Sequence, residues 1–198
     1  MSYSSLWLIG KDLLGTEEYS YKNSWLFCPI VWDVLTAKYV GLNKSILVST
    51  LTGGNVFKEV NDAVNHCEDT TDRICWELSN SQIFQSKDKD IVSASIYDFC
   101  RKNTAYDKGL SSEHIIERFC KIAADIAGID PKETPYFVIH GSSCDDNVER
   151  WFLKYNEETE EYEDSPIDQF NEYAAEVVLI EDGKIKEFVP MNKWDWKL

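Results

Sequence analysis

Residues 140–146 read His-Gly-Ser-Ser-Cys-Asp-Asp and gather the side-chain types of a nucleophile site. Cys144 or Ser143 would attack and His140 would serve as base, with Asp145 alongside. A thiol becomes a useful nucleophile when a cation or a helix start lowers its pKa, whereas Asp145 and Asp146 raise it unless His140 is protonated. Catalysis by His140, Cys144 and Asp145 is therefore the alternative reading of this loop. A second polar loop, Thr52-Gly53-Gly54-Asn55, follows the run Ser45–Leu51 and precedes a helical pattern. That is where an open α/β sheet would hold an anion or nucleotide. The loop has no phosphate-binding lysine at the required spacing and no G-x-G-x-x-G, and an ordinary tight turn with a cap explains it better. His140 with Cys144, and His66 with Cys67 and Cys75, are metal-ligand types without a recognised zinc spacing, so neither metal nor cofactor is expected.

The strongest compositional signal is acidic. Between Asp145 and Glu187 fifteen Asp or Glu face only Arg150, Lys154, Lys184 and Lys186, which places eleven of the chain's fifteen net negative charges there. The densest run is Glu157-Glu158-Thr159-Glu160-Glu161-Tyr162-Glu163-Asp164. If extended, it sets Glu158, Glu160 and Asp164 on one side and Glu157, Glu161 and Glu163 on the other, with same-side neighbours about 6.6–6.8 Å apart. Such rows suit a basic groove on a partner protein and imitate nucleic-acid phosphates. Duplex DNA carries a charge about every 1.7 Å of axis, so further carboxylates must come from elsewhere, with Asp168, Glu172, Glu176, Glu181 and Glu187 as candidates. Tyr155, Tyr162 and Tyr173 among the acids would add contact energy to such an interface. Calcium is disfavoured, because the run lacks spaced oxygen ligands around a glycine turn.

The elements that must position these groups are legible in part. Leu6–Ile9 reads as a buried strand, Trp25–Cys28 as another, and Pro29 as the opening of a helix with Val31, Val34, Leu35 and Tyr39 on one side. The β-branched run Ser45–Leu51 predicts a strand ended by Gly53-Gly54. Asn55 is placed to cap a helix whose stripe is Val56, Val60, Ala63, Val64 and Cys67. Helices are also predicted over Thr70–Leu78, Asp90–Asn103 and from a cap at Ser112 to Gly128. Tyr136–His140 and Trp151–Tyr155 predict strands, and Asp182-Gly183 between Glu176–Ile180 and Ile185–Val189 predicts a hairpin. Helices fill the middle and strands both ends. The expected fold is α+β or mixed α/β, with a central mixed sheet built from both ends of the chain, helices packed on it and a C-terminal antiparallel hairpin.

The chain has 198 residues, 43% hydrophobic and 13% aromatic, which excludes disorder and low complexity. One domain over 1–198 is expected, with lobes 1–105 and 110–198 as the division should there be two. With 35 acidic against 20 basic side chains and a pI near 4.6, direct contact with nucleic acid or an anionic membrane would start against repulsion. Met1–Gly15 has no basic start and only the short apolar run Leu6–Ile9, and no stretch reaches the roughly 20 apolar residues of a bilayer span. The expectation is a cytoplasmic protein whose six scattered cysteines are reduced and mostly buried. In size and charge the chain is similar to small acidic anti-defence inhibitors of phages and to immunity proteins of nuclease toxins. The leading expectation is a non-enzymatic acidic protein that inhibits a basic, nucleic-acid-handling protein through Glu157, Glu158, Glu160, Glu161, Tyr162, Glu163, Asp164 and Asp168. The alternatives are a small α/β enzyme or nucleotide-binding protein using the two loops, and a homodimer associating through exposed aromatics.

Overall fold

In a computed structural model, residues 3–22, 27–142 and 148–196 are described. The chain opens with an antiparallel pair, β1 (Tyr3–Ile9) and β2 (Gly15–Lys22). Four helices follow: α1 (Phe27–Tyr39), α2 (Ile46–Leu51), α3 (Val56–Asn65) and α4 (Thr70–Ser79). A short β3 (Ile83–Gln85) separates them from α5 (Lys89–Asn103) and α6 (Glu113–Ala127). The remainder is strands: β4 (Tyr136–Ser142), β5 (Leu153–Asn156), β6 (Glu161–Asp164), β7 (Glu176–Glu181) and β8 (Lys184–Pro190).

Six strands form one mixed sheet in the order β2-β1-β4-β3-β7-β8, in which β3 and β7 run parallel and the other pairs antiparallel. Both ends of the chain build it, the helices come from the middle, and the β7–β8 hairpin closes the C-terminal side, as the sequence predicts. Asp182 and Gly183 turn that hairpin at φ +50° and +75°, the double positive φ of a type I′ turn. β4, from beyond residue 105, lies between β1 and β3, which come from before it.

Period-two alternation divides the core. Leu6, Phe84, Phe137, Ile139, Val178 and Ile180 face the helices and pack with Val31, Val34, Leu35, Val60, Val64, Trp76, Phe99 and Phe119. Trp7, Ile9, Ile83, Tyr136, Val138 and Val177 face the other way, under Val148, Trp151, Phe152, Ile167, Met191 and Trp196. Among the described residues, no helix is long and apolar enough to cross a membrane.

Several local expectations are overturned. Ser45–Leu51 is not a strand: Ser45 caps α2 by accepting from Val48 N, and the Thr50 hydroxyl bonds back to Ile46 O at 2.9 Å. Only Ile46 and Ser49 of its described side chains are buried, so one helical face suffices where β-branching had suggested a pleat. Phe27 and Cys28 open α1 and are no part of a strand, while Trp25 lies outside the described residues. Pro29 occupies the third helical position, where its missing N–H still falls among the unpaired first-turn donors. Trp151 and Phe152 lie in the 3-10 turn Val148–Phe152, both buried under the main sheet, and the strand predicted over Trp151–Tyr155 starts only at Leu153. Asn55 precedes α3 without a side-chain cap, and Ser49 Oγ accepts from Val56 N at 3.1 Å instead. β2 escapes the sequence pattern because, apart from Tyr21, its described side chains face solvent or are half-buried.

Candidate functional site

The acidic run folds as a hairpin apart from the main sheet. β5 and β6 pair antiparallel with Leu153 opposite Asp164, Lys154 opposite Glu163, Tyr155 opposite Tyr162 and Asn156 opposite Glu161. Glu157–Glu160 make the turn, with Glu160 at φ +58°. Asn156 organises it: its Oδ1 accepts from Glu158 N at 2.9 Å and Thr159 N at 3.4 Å, and its Nδ2 donates to Glu163 Oε1 at 2.7 Å. The expected pair of continuous acidic rows is thereby corrected. Glu157, Glu158 and Glu160 crowd the tip, Glu161 and Glu163 share one face with Lys154, and Tyr162 and Asp164 share the other with Tyr155.

Every residue from Glu157 to Asp164 is exposed. Tyr155 and Tyr162 meet edge-on at 5.3 Å between ring centroids, yet remain 48% and 69% exposed. A two-stranded hairpin is marginal alone, and this one is stabilised at its base. Phe152 is buried and stacks on Trp7 at 5.9 Å, Ser165 N donates to Phe152 O at 2.7 Å, and Ile167 N donates to Leu13 O at 3.0 Å. Apolar burial thus stops at Phe152 and Ile167, while Lys154, Tyr155 and all residues from Glu157 to Asp164 are offered to solvent.

The other acids are arranged differently. Asp168 follows Pro166 in a 3-10 turn and lines a hollow of about 330 Å³ with Trp194 and Asp195. Glu176, Glu181 and Glu187 belong to β7 and β8 of the main sheet, and so do not extend the β5–β6 ladder.

His140 is buried on β4, opposite Ser5, on the sheet face away from the helices. It lines a cleft of about 440 Å³ with Asn80, Ser81, Gly141, Arg150, Trp151, Phe170, Glu172 and Tyr173. Cys144 and Asp145, its proposed catalytic companions, lie outside the described residues, as does Ser143. Ser81 takes φ +56° where α4 ends, and Gln82 N reaches back to Glu77 O at 3.2 Å. Close to Tyr173, Glu77 is 4% exposed. Desolvation, reinforced by the charge of Glu176, pushes its carboxyl up to about 8, against the opposing pull of Arg73. Glu176 is also raised by burial. The sequence hid this acid pair, because the contact between α4 and the start of β7 is tertiary.

Thr52–Asn55 connects α2 to α3 within the helical layer and does not follow a strand. Its groups are engaged in ending α2: Gly53, at φ +71°, donates to Thr50 O, Gly54 N donates to Ser49 O at 2.8 Å, and the Thr52 hydroxyl donates to Val48 O at 2.9 Å. These are the bonds of a Schellman cap, and they leave Gly53 and Gly54 N–H no freedom for an anion. A Cβ at Gly54 would collide with Ser49 Oγ, so close approach accounts for that glycine. The main sheet lies between this loop and His140.

No three His, Cys, Asp or Glu side chains are placed to hold a metal ion among the described residues. Comparison with known proteins found no family model, curated protein or solved structure that matches the chain.

Proposed function

We propose that the chain is a non-enzymatic acidic interaction protein that binds a basic, nucleic-acid-handling protein and blocks its nucleic-acid groove. The observation that supports this reading is the β5–β6 hairpin on its buried base, with Glu157, Glu158 and Glu160 at the tip, Glu161 and Glu163 on one face, and Asp164 with an exposed Tyr155–Tyr162 pair on the other. Carboxylates this dense steer a cationic partner into encounter, and the tyrosines supply contact area with few rotatable bonds. Like charges side by side also cost fold stability, a cost that a cationic groove would relieve. The likeness to phage anti-defence inhibitors and toxin-immunity proteins is one of size and charge only.

The enzyme reading requires Thr52–Asn55 and His140 to share a cleft, and the cleft holding His140 is not lined by that loop. The interaction reading is tested by pull-downs from nuclease-treated lysate with wild type and with a variant carrying Gln at 157, 158, 160 and 161, eluted in salt steps. One basic nucleic-acid-binding protein should be retained by wild type, released by salt, displaced by duplex DNA and lost from the variant. Identical retention and salt elution for both proteins would overturn the reading.

A further inference from the structure

The cleft that holds His140 gathers polar groups that the fold leaves without partners. Its inner wall is buried, with His140, Val148 and Trp151 in it. Among the described residues four tryptophans are buried, and three of them satisfy the indole N–H: Trp7 donates to Ser5 Oγ, Trp76 to Asn61 Oδ1 and Trp196 to Met191 O. The fourth, Trp151, is 7% exposed, and its Nε1 makes no hydrogen bond although it is not sealed from solvent. A buried indole N–H ordinarily finds an acceptor, so this one is left for an occupant of the cleft. Asn80 gives its Nδ2 to Trp76 O at 2.8 Å and keeps Oδ1 without a donor. At the rim, Arg150 on the 3-10 turn and Glu172 ahead of β7 are exposed, and neither forms an ion pair with the other or with any described residue. Half-buried Phe170 adds an apolar wall.

We propose that this cleft binds a small zwitterion, an α-amino acid with an apolar side chain. The Arg150 guanidinium and the Trp151 N–H are donors suited to a carboxylate, which an arginine holds through two parallel bonds. Glu172 and Asn80 Oδ1 are acceptors suited to an ammonium group. The two charges of the cleft select a ligand that carries both. A simple anion would meet Arg150 but also Glu172, and would approach against a net charge of -15. A simple cation would meet Glu172 but also its like charge on Arg150. A zwitterion approaches uncharged overall and answers each pole, while its side chain lies against Phe170 and Val148. At about 440 Å³ the cleft falls within the range of small-molecule sites, about 300–1,000 Å³. No described residue of β5 or β6 lines it, so the site is independent of the acidic hairpin and its partner.

Calorimetric titration and thermal unfolding of the full chain with the common α-amino acids test the inference, with L-leucine and L-phenylalanine as the probes expected to bind. Each should titrate to one site and raise the melting temperature. Phenylalaninamide, which lacks the carboxylate, and phenylpropionate, which lacks the ammonium group, should each bind about tenfold more weakly than phenylalanine. The variants should reproduce those losses one pole at a time. Arg150→Gln should bind phenylalanine no better than it binds the amide, and Glu172→Gln should bind it no better than phenylpropionate. Both positions are exposed, so the fold is retained, and Trp151→Phe removes the N–H while keeping an aromatic ring, with circular dichroism confirming the structure. Failure of every amino acid to bind at millimolar concentration, equal binding of phenylalanine and its amide, a preference for charged side chains, or an affinity unchanged in Arg150→Gln would each overturn the proposal. Each of these results leaves the reading of the hairpin untouched, because its carboxylates and tyrosines are intact in every variant.

Discussion

Glu77 holds its proton in the fold where the unfolded chain has lost it. Its carboxyl rises from an ordinary 4.5 to about 8, first through desolvation and then through the charge of Glu176. The contribution of a raised acid is full below the unfolded value and is lost as pH rises towards the folded value, here between 4.5 and about 8. Denaturant unfolding should therefore show a stability loss on the order of 2–4 kcal/mol from pH 5 to pH 9, with Glu176 adding in the same sense. Glu77→Gln should flatten that slope and be the more stable protein at pH 9. An unchanged slope in the variant would assign the loss to other groups. Thiols divide similarly by burial: Cys28 and Cys100 are pushed up to about 12 by desolvation, and buried Cys75 is raised as well. Alkylation of the native protein should reach half-buried Cys67 and Cys120 while Cys28, Cys75 and Cys100 react only on unfolding. Cysteine-to-serine variants read by mass spectrometry would show which thiols are modified.

At the level of elements, one buried carboxylate ties three helices together. Asp72 on α4 is 0% exposed and accepts from Lys38 at 2.6 Å and Tyr39 at 2.7 Å on α1, and from Asn103 at 3.0 Å on α5. Lys38 also donates to Asn103 Oδ1 at 3.1 Å, closing the network. Removing one member leaves its partner buried and unpaired, so Asp72→Ala should cost about 3–5 kcal/mol. The double variant Asp72→Ala with Lys38→Met should lose clearly less than the sum of the single losses, which a double-mutant cycle by thermal or urea unfolding measures. Additive losses would mean that the pair is not coupled. The start of α3 provides a second comparison: Ser49→Ala should cost about 1 kcal/mol, as loss of a cap does, and Asn55→Ala less, because Ser49 carries the bond to Val56 N.

Across the whole molecule, the sheet must be covered on both faces, and the C-terminal residues complete the side without long helices. Trp196 is 7% exposed, donates to Met191 O at 3.1 Å and packs edge-on against Tyr136 at 5.1 Å. Trp194 Nε1 donates to Tyr136 Oη at 3.0 Å. Trp196→Ala should therefore destabilise the fold by about 3 kcal/mol or more, as large-to-small changes in a packed core do, and should expose the Tyr136 face. A melting temperature equal to wild type would show that the tail is not part of the core. The same layer supports the acidic hairpin through Phe152 and Ile167, so damage there should also weaken any function of the hairpin.

The fold class, the helices from α3 to α6, the strands β1, β4, β7 and β8 and the concentration of acid in the last third were all determined by the sequence. Each rests on local information: a 3.6-residue stripe, a short buried apolar run, an Asp-Gly turn or a charge count. What escaped it depended on partners distant along the chain. Ser45–Leu51 is helical because a cap at each end and one buried face outweigh β-branching, and β2 is a strand because β1 supplies hydrogen bonds that its own polar sequence cannot advertise. The acidic run was visible as composition, but its division into turn, faces and an aromatic pair was set by pairing with β5. Glu77 beside Glu176, His140 beside Ser81, and the sheet between His140 and Gly53 are matters of tertiary structure alone. Burial and proximity set pKa values and clefts, and neither can be read from spacing when the groups concerned are far apart in the chain.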